Sequence, residues 1–359
     1  MNIGPFAFKE NRVRRLYHGG SGIDRLRGAP DGGDGRYPED WIASCIDANA
    51  REFVAPDHGH SVAIIDGREH PFPALLKEHA EAILGPAHLA RHGATPAVLT
   101  KLLDAAVLLP MQVHPDRDRA AQYFHSPFGK TEAWIILATR EIDGQKPHLL
   151  LGFNDRLDPD QFRREALSGE LPTALDMLHK IEVKPGDVYV VYGGMPHAIG
   201  PGITMVEVME PTDLMVLPER NCFGVVLSDE KRYGGLSPDD AMAVFDYTPA
   251  SREDIIRRCC PPPELMTATA SGTQHRLISR EKERFFEAQR LRFQGDWQLD
   301  LAERSLRVGI VVKGPVQLHS GGTTVQLNQG DSFLLPYSVE DCRFSGDANL
   351  ILVLPPAPL

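Results

Sequence analysis

The sequence predicts a mainly β fold with a helical insertion, built from two related β domains. Its 359 residues include 32 glycines and 29 prolines, an above-average share that is typical of chains with frequent turns between short strands. Residues 181–192 and 325–336 align without gaps, and each stretch has the pattern of a strand, a Gly-Asp turn and a second strand. We interpret the match as an internal duplication, because it extends over both flanking strands.

The N-terminal part of the chain begins with short strand-like runs, such as 61–65, between glycine-rich turns. From about 73 to 109, apolar residues recur at helical spacing, and this pattern is interrupted at Gly85-Pro86 and at Gly93. The segment is therefore predicted to form two amphipathic helices, and the second helix includes the apolar residues between 98 and 106.

A further helical block is predicted at about 158–180. Asp158 is suited to cap its first helix, and Gly169 is suited to end it. Thr173 and Asp176 have the spacing of a capping box for a following helix. Helices thus interrupt a chain that is otherwise rich in strands.

Beyond residue 181 the pattern is almost entirely that of strands until the charged stretch 237–258. The sequence Cys-Cys-Pro-Pro-Pro at 259–263 then predicts a stiff connector. We place a domain boundary there, with a first domain at 1–255 and a second at 264–359. The second domain is predicted to be a small antiparallel β domain, with strand-like runs at 288–293, 306–312, 325–327 and 332–335.

Charge and cysteine content exclude several classes of protein. With 38 Lys+Arg against 49 Asp+Glu, the net charge is −11, which gives little electrostatic attraction to nucleic acid or an anionic membrane. The five cysteines are odd in number and lack CxxC spacing, which argues against a disulfide framework or a thiolate zinc site. No stretch resembles a signal peptide or a membrane span, so a cytoplasmic location is expected.

Four residues form a candidate metal site. Gln112 and His114 are two apart, so on a strand both side chains point to the same side. Together with Glu132 and His197 they offer two imidazoles, a carboxylate and an amide oxygen, which suit a divalent ion such as zinc and leave room for water or substrate. Spacing alone does not settle the assignment, because each histidine taken singly is also compatible with an ordinary hydrogen-bonded role.

Three strings in this region resemble the type I phosphomannose isomerases of the cupin superfamily. They are QVHPD at 112–116, GKTE at 129–132 and G-x-x-HA at 194–198. The resemblance runs from about Arg15 to the C-terminus. It implies duplicated cupin domains, each a double-stranded β-helix or jelly-roll-like barrel. It also implies one Zn²⁺ per chain, bound in the first domain by the four residues above.

The same resemblance implies a second domain without metal ligands. The cupin motif of the first copy ends at Gly194 and His197, whereas the second copy has Ser338 and Asp341 in that register. No counterpart of Gln112 and His114 precedes it. A structural role is therefore expected for 264–359.

The activity implied by the resemblance is aldose-ketose isomerisation through an enediol, most directly of mannose 6-phosphate to fructose 6-phosphate. Glu207 is the first candidate for proton transfer. On a strand its side chain points away from those of its two valine neighbours, which is compatible with a barrel interior and with solvent. Lys130 matches the family's active-site lysine, and substrate binding is assigned to Lys130, Trp41 and Asp213. The expected partner is a small sugar or sugar phosphate, and nothing in the sequence predicts an oligomeric state.

Two departures from the family pattern concern the phosphate. Leu217 stands where the family has an arginine, and Pro110, which offers neither hydroxyl nor N–H, stands where it has a serine. Arg220 is a candidate to replace the missing cation, and a surface charge is the alternative. Three hypotheses follow: an isomerase of mannose 6-phosphate, an isomerase of an unphosphorylated or other sugar, and a sugar-binding or regulatory cupin without turnover.

Overall fold

The computed structural model describes residues 3–29, 32–48 and 58–357. Its strands are β1 (Phe6–Phe8), β2 (Arg12–Val13), β3 (Glu39–Ile42), β4 (Val62–Ile65), β5 (Arg68–Pro71), β6 (Leu99–Ala105), β7 (Glu132–Thr139), β8 (His148–Phe153), β9 (Leu178–Glu182), β10 (Val188–Val191), β11 (His197–Ile199), β12 (Ile203–Met209), β13 (Asn221–Cys222), β14 (Val225–Val226), β15 (Glu264–Thr269), β16 (Gly272–Ile278), β17 (Glu287–Gln298), β18 (Arg307–Lys313), β19 (Val316–Ser320), β20 (Thr323–Leu327), β21 (Ser332–Leu335) and β22 (Arg343–Leu354).

The helices are short and lie mostly between strands of the first half. They are α1 (Ser21–Leu26), α2 (Phe72–Glu78), α3 (Ala80–Leu84), α4 (Pro86–His92), α5 (Arg117–Phe124), α6 (Pro159–Ser168), α7 (Asp229–Tyr233), α8 (Pro238–Ala243), α9 (Arg252–Cys259) and α10 (Arg280–Glu283), with a 3₁₀ turn at Ala174–Met177. None of the helices in the described part of the chain is long and apolar enough to cross a membrane. The fold is mainly β, as predicted.

The two halves of the chain build sheets with the same strand order. The N-terminal sheet has the order β10-β7-β12-β6-β3-β2. The C-terminal sheet begins with the corresponding order β21-β18-β22-β17-β16-β15, and β1, β4 and β5 continue it beyond β21. A three-stranded sheet, β11-β8-β9, faces the first of these. The matching orders confirm the internal duplication that the repeat predicts.

The repeated hairpins match in hydrogen bonding as well as in sequence. In the first copy, Gly186 donates to the carbonyl of Ile136 at 2.8 Å, and the Ile136 N–H donates to the carbonyl of Asp187 at 3.0 Å. In the second copy, Gly330 donates to Val311 at 2.8 Å, and Val311 donates to Asp331 at 2.9 Å. Both glycines have positive φ, 97° and 87°, a conformation that glycine adopts without a Cβ penalty.

When the two copies are aligned by this register, a metal-ligand candidate of the first copy corresponds to a residue of opposite charge in the second. Glu132 pairs with Val191 across β7 and β10, and the corresponding pair in the second copy is Arg307 with Leu335. Arg307 is buried, and its guanidinium donates to the carbonyls of Glu303 and Ser305. The second copy therefore has a cation where the first has Glu132.

The outer face of the N-terminal sheet packs against the C-terminal sheet. Val206 and Val208 of β12 lie in one buried cluster with Ile310 of β18 and Ile351 of β22. Burying each such side chain contributes roughly 1.5 to 3 kcal/mol relative to leaving it in water. The opposite face of the N-terminal sheet, which carries Met205 and Glu207, is directed away from this contact.

The second helix predicted within 73–109 is wrong. The helices end at His92, and Leu99–Ala105 is strand β6, at the centre of the N-terminal sheet between β12 and β3. All seven residues of β6 are buried, so apolar side chains occupy both faces and their spacing imitates a helix. A short apolar run buried on both faces does not have the alternation of a half-buried strand.

The helical block predicted at 158–180 is correct in its first part. Asp158 caps α6 by accepting from the Gln161 N–H at 2.9 Å, and Gly169 ends the helix with a φ of 88°. The capping box at Thr173 is absent, because that hydroxyl donates to Glu165 at 2.6 Å. The residues from Leu178 onward form β9 instead of helix.

Candidate metal centre and adjoining cavity

A row of large side chains crosses the inner face of the N-terminal sheet. Strand register places Trp41 beside Lys101, Lys101 beside Glu207, and Glu207 beside Trp134. All four side chains are buried. Glu207 therefore faces the interior of the barrel, which decides between the two orientations that the sequence left open.

His114, Glu132 and His197 meet at one end of this row. One ligand atom from each lies within 4.8 Å of the others. The Nε2 atom of His114 is 3.4 Å from one carboxylate oxygen of Glu132, and that of His197 is 3.3 Å from the other. All three side chains are buried, so the strands bring together three of the four predicted ligands.

Backbone carbonyls orient both imidazoles. The Nδ1 atom of His114 lies 2.8 Å from the carbonyl of Leu214, and that of His197 lies 2.9 Å from the carbonyl of Met195. A carbonyl oxygen only accepts, so each ring carries its proton on Nδ1 and directs the Nε2 lone pair at Glu132. This is the usual arrangement of metal-binding histidines.

The polar atoms of this cluster suit a cation. The buried Nε2 of His197 has no hydrogen-bond partner among the described residues. Burial, with Lys130 nearby, lowers the pKa of His114 to about 3, so its imidazole is neutral at pH 7. Burial alone would raise the pKa of Glu132, but Lys130, His114 and His197 together outweigh burial, and the pKa lies well below the ordinary value. Two neutral imidazoles and one carboxylate fit zinc or a similar ion.

Gln112 and Lys130 lie beside the three ligands. Gln112 exchanges backbone hydrogen bonds with His197, 2.9 Å in each direction, and lines the adjoining cavity. The ammonium of Lys130 donates to Nε2 of His114 at 2.8 Å and lies 3.1 Å from Glu132. Both predicted residues therefore belong to the same site.

The cavity next to the metal centre is charged at its base and apolar along its walls. Its polar lining residues are Arg15, Tyr17, Glu39, Lys101, Gln112, Lys130 and Glu207. The walls include Leu16, Leu103, Leu109, Pro110, Ile199, Met215 and Leu217. The two departures from the family pattern, Pro110 and Leu217, thus lie at the cavity surface.

Glu207 and Glu39 share the ammonium of Lys101. Its Nζ atom is 3.4 Å from Glu207 and 3.5 Å from Glu39. Burial raises the pKa of Glu207 to about 7, because the opposing effect of Lys101 is smaller and Glu132 adds a like charge. For Glu39, burial is outweighed by Arg15 and Lys101, which lower its pKa. One carboxyl is thereby poised near neutral pH while its neighbour stays ionised.

Arg15 is a cavity residue that the sequence did not single out. Its guanidinium forms two hydrogen bonds to Asp213, at 3.0 and 3.3 Å, and an ion pair with Glu39 at 3.0 Å. Burial alone would raise the pKa of Asp213, but the charge and hydrogen bonds of Arg15, together with the charges of Lys101 and Lys130, outweigh burial and lower the pKa far below the ordinary value. Asp213, predicted to bind substrate, is therefore engaged with Arg15.

The structure does not place Arg220 in the cavity, so the guess that it replaces the missing cation is not supported. Its guanidinium pairs with Asp229 at 2.9 Å and donates to the carbonyl of Ser168. Its backbone N–H donates to the carbonyl of Gly169 at 2.9 Å, so Arg220 lies at the C-terminal end of α6. Arg15 is the cavity arginine, and it shares the lining with Leu217.

Trp41 lies behind the cavity surface. Its Nε1 donates to Glu39 at 2.6 Å, and its ring lies 4.8 Å below the ammonium of Lys101. Tyr17 donates to the other oxygen of Glu39, also at 2.6 Å. Trp41, predicted to bind substrate, contacts Glu39 and Lys101 and is not among the described residues that line the cavity.

Asp104 anchors the segment that carries Arg15 and Tyr17. Its carboxylate accepts from the N–H groups of Gly20 and Gly22, from the hydroxyl of Thr204 and from Arg140 at 2.5 Å. A Cβ added at Gly19 would lie 1.8 Å from the carbonyl oxygen of Asp104. The glycine pair at 19–20 therefore allows the N-terminal segment to pack directly on β6.

Sequence reasoning missed Lys101, Glu39 and Arg15 as site residues. Lys101 and Asp104 are the charged residues of the apolar run for which the spacing predicts a helix. If the run is a buried strand, its two charged side chains must have partners in the interior. This requirement is a signal in the sequence that marks both residues as candidates for the site. For Arg15 no local signal exists, because its partners Asp213 and Glu39 are distant in sequence.

Comparisons with known proteins agree with this architecture. A sequence model of the family "Mannose-6-phosphate isomerase, cupin domain" matches residues 280–355. Mannose-6-phosphate isomerase ManA of Bacillus subtilis is 26% identical over 302 residues, which cover 84% of this chain and 87% of the relative. The mannose-6-phosphate isomerase of Streptococcus mutans is 26% identical over 258 residues, 71% of this chain and 72% of the relative.

Solved structures share the fold over nearly the whole chain. The mannose 6-phosphate isomerase of Bacillus subtilis has a TM-score of 0.74 at 21% identity, covering 98% of this chain and 99% of that structure. A variant of the phosphomannose isomerase of Salmonella typhimurium also gives 0.74, at 14% identity, covering 99% of this chain and 100% of that structure. At these identities the structures show a common fold.

Proposed function

We propose that this chain, which belongs to the type I phosphomannose isomerase family of the cupin superfamily, is a metal-dependent isomerase that interconverts an aldose and a ketose. The observation that carries the proposal is the placement of Glu207, with a pKa near 7, on the cavity surface next to Lys101 and the cluster of His114, Glu132 and His197. A carboxyl group with this pKa is suited to take up and return a proton at neutral pH.

In this mechanism Glu207 removes the proton from one of two adjacent sugar carbons and returns it to the other. The ammonium of Lys101 stabilises the Glu207 carboxylate before the transfer. Glu39, held by Trp41 and Tyr17, fixes Lys101 in place. The apolar walls exclude water from the enediol, which strengthens each electrostatic interaction within the cavity.

Zinc is the ion we propose, held by His114, Glu132 and His197 with Gln112 beside them. When bound it supplies Lewis-acid stabilisation of negative charge on a substrate oxygen. Lys130, next to these ligands, is assigned to the substrate oxygens as a hydrogen-bond donor. We further propose that 1–255 forms the catalytic domain and 264–359 a second cupin domain with a structural role.

Mannose 6-phosphate is the first substrate to test, because the relatives carry that name. An unphosphorylated sugar is the second candidate, and a specific observation favours it. Each cation among the described cavity residues already has a carboxylate partner: Arg15 with Asp213 and Glu39, Lys101 with Glu39 and Glu207, and Lys130 with Glu132. Pro110 and Leu217 add no donor, so a phosphate must compete with these pairs.

The test is a coupled assay of the zinc-loaded protein with mannose 6-phosphate, fructose 6-phosphate, mannose and fructose. Turnover of the phosphorylated pair supports the first candidate, and turnover of the free sugars alone supports the second. Glu207→Gln is the matched control and is expected to abolish turnover of either pair. No turnover of any sugar by protein that retains its metal contradicts the isomerase and favours a sugar-binding cupin.

The cellular location we propose is the cytoplasm. All five cysteines are free, and three of them are buried. Thiols persist in a reducing compartment, whereas disulfides form and persist in oxidising compartments outside the cytosol. Fractionation of the producing cell tests the assignment, and recovery outside the cytoplasmic fraction contradicts it.

A further inference from the structure

A group of unpaired cations lies where the two sheets meet. Arg290 and Arg292 are two apart on β17, so their side chains lie on one face of the C-terminal sheet. Asn349 of β22 is the register partner of Arg292, and Lys313 of β18 is paired with Asn349 on its other side. We call these four residues the basic cluster.

None of the three cations of the basic cluster forms an ion pair with a carboxylate of the described residues. Burial, and then the like charge of Arg292, lowers the pKa of Arg290. By contrast, Arg276 and Arg343 of the same sheet are paired, with Glu287 at 3.2 Å and with Asp296 at 3.0 Å. The like charges of the two neighbouring guanidinium groups, Arg290 and Arg292, repel each other.

Two buried polar atoms of the basic cluster also lack partners. The Nε of Arg290 has no acceptor, and the Oδ1 of Asn349 has no donor, among the described residues. Leaving such an atom buried and unsatisfied costs about 1 to 3 kcal/mol in general. A ligand that accepts from Arg290 removes part of that cost.

The cluster lines a cavity and a groove that adjoin each other. The cavity, of about 130 Å³, lies between Arg290, Arg292 and Asn349 on one side and strand β7 with the turn at Pro185-Gly186 on the other. The groove contains Arg292, Asn349 and Lys313, with hydroxyl groups from Ser271 and Thr273, and Asp347 is its one carboxylate among the described lining residues. The lining residues of β7 include Ile135, which packs on the face opposite Glu132, so the cavity is separate from the metal centre.

We propose that the basic cluster is a binding site for the phosphoryl group of a small molecule. Arginine pairs recognise phosphate through forked, charge-assisted hydrogen bonds. The cavity takes the phosphoryl group between Arg290 and Arg292, and the groove takes whatever is attached to it. The site does not depend on the proposed isomerase activity.

Calorimetric titration of the full chain with inorganic phosphate, at constant ionic strength set with sodium chloride, tests the site. Arg290→Gln/Arg292→Gln is expected to weaken phosphate binding by about tenfold or more. Arg163→Gln/Arg343→Gln removes two exposed, ion-paired arginines and is the charge-matched control, expected to bind as the unaltered chain does. Absence of binding by the unaltered chain, or equal binding by Arg290→Gln/Arg292→Gln, overturns the proposal, since phosphate at the metal centre would survive that change.

A second variant keeps the test decisive if the double variant folds poorly. Asn349→Asp places a carboxylate beside Arg292, so it is expected to raise the melting temperature in phosphate-free buffer and to abolish the phosphate response. Unchanged phosphate binding by Asn349→Asp overturns the proposal. Titration with ribose 5-phosphate distinguishes a phosphate monoester from free phosphate as the ligand. If ribose 5-phosphate binds as tightly as inorganic phosphate or more tightly, the ligand is a phosphate monoester. If only inorganic phosphate binds, the ligand is the free ion.

Discussion

Lys101 and Glu207 face each other across the β6–β12 pairing, with Nζ and Oε1 3.4 Å apart, and neither side chain is more than 4% exposed. A charge pair in such a place is expensive to desolvate, and its partners must be held accurately to offset that cost. Glu39, Trp41 and Tyr17 supply this support.

Glu207→Gln tests the role of this pair directly. The amide cannot accept a proton, so kcat is expected to fall by roughly 10²- to 10⁴-fold while the circular dichroism spectrum stays unchanged. In the unaltered enzyme the ionised form of Glu207 is the base, so kcat/KM rises with pH through a pKa of about 7. A pH profile flat between 5.5 and 8.5, or a small loss of rate in the variant, contradicts the assignment.

Removal of the metal ligands is expected to abolish both metal content and turnover. His114→Ala with His197→Ala removes two of three clustered ligands, so bound zinc should fall from about one ion per chain to a trace. Inductively coupled plasma mass spectrometry measures this directly. His319→Ala, which changes a half-buried histidine on β19 of the second copy, is the control and should retain the full zinc content. Full metal retention by the double variant contradicts the ligand assignment.

Arg15 is expected to perform the electrostatic role for which the sequence suggested Arg220. Arg15→Leu removes the guanidinium that pairs with both Asp213 and Glu39, and it is expected to lower kcat/KM by about 10²-fold or more. Arg220→Ala, which breaks an ion pair outside the cavity, is expected to change kcat/KM less than about twofold. Steady-state kinetics of the two variants decides, and the reverse order of effects restores the assignment to Arg220.

An arginine on the opposite wall tests whether activity needs Arg15 at its own position or only a guanidinium in the cavity. Leu217 and Arg15 line the same cavity, so Arg15→Leu/Leu217→Arg returns a guanidinium to the cavity from the other side. The double variant is expected to recover at least about tenfold of the lost kcat/KM. No recovery, with the fold intact, shows that Arg15 acts through its own hydrogen bonds to the Asp213 carboxylate.

Asp104 makes the fold sensitive to acid. Burial alone would raise its pKa, but hydrogen bonding to Arg140 and the charge of that guanidinium outweigh burial and lower it. The ionised carboxylate therefore contributes stability above the unfolded-state pKa of about 3.9, and the contribution is lost as the pH falls through the lower folded-state value.

Asp104→Asn is accordingly expected to reduce the free energy of unfolding at pH 7 by about 2 kcal/mol. Its deficit relative to the unaltered chain should shrink below about pH 4. Urea unfolding at pH 7 and pH 3 measures both quantities. An equal deficit at the two pH values contradicts the assigned role of the charge.

The parts of the fold that the sequence predicts are those specified locally. The hairpins at 181–192 and 325–336 carry their own turn chemistry, so their strands and turns are recognisable without tertiary information. The pattern of strand β6 predicts a helix, because burial on both faces removes the alternation that identifies a strand. Its neighbours β12 and β3 decide its conformation, and they are far away in sequence.

The residues of the candidate site also fall into two groups, those that the sequence reveals and those that only the structure reveals. His114, Glu132 and His197 are recognisable because short strings surround them, and strand geometry then brings them together. Arg15, Glu39 and Lys101 are recognisable only through one another, because each charge is acceptable in the interior once the other two are there. Spatial pairing of this kind leaves no periodic signal along the chain.

The pairing of β1 with β21 has a consequence for synthesis. Phe6 is the register partner of Leu334, so during translation β1 waits for a strand that is made much later. Contacts of such high sequence separation slow folding, and unpaired strand edges are exposed in the meantime. A nascent chain stalled before β21 therefore presents β1 and β4 without their closing partner, and these are the edges that a chaperone would need to cover.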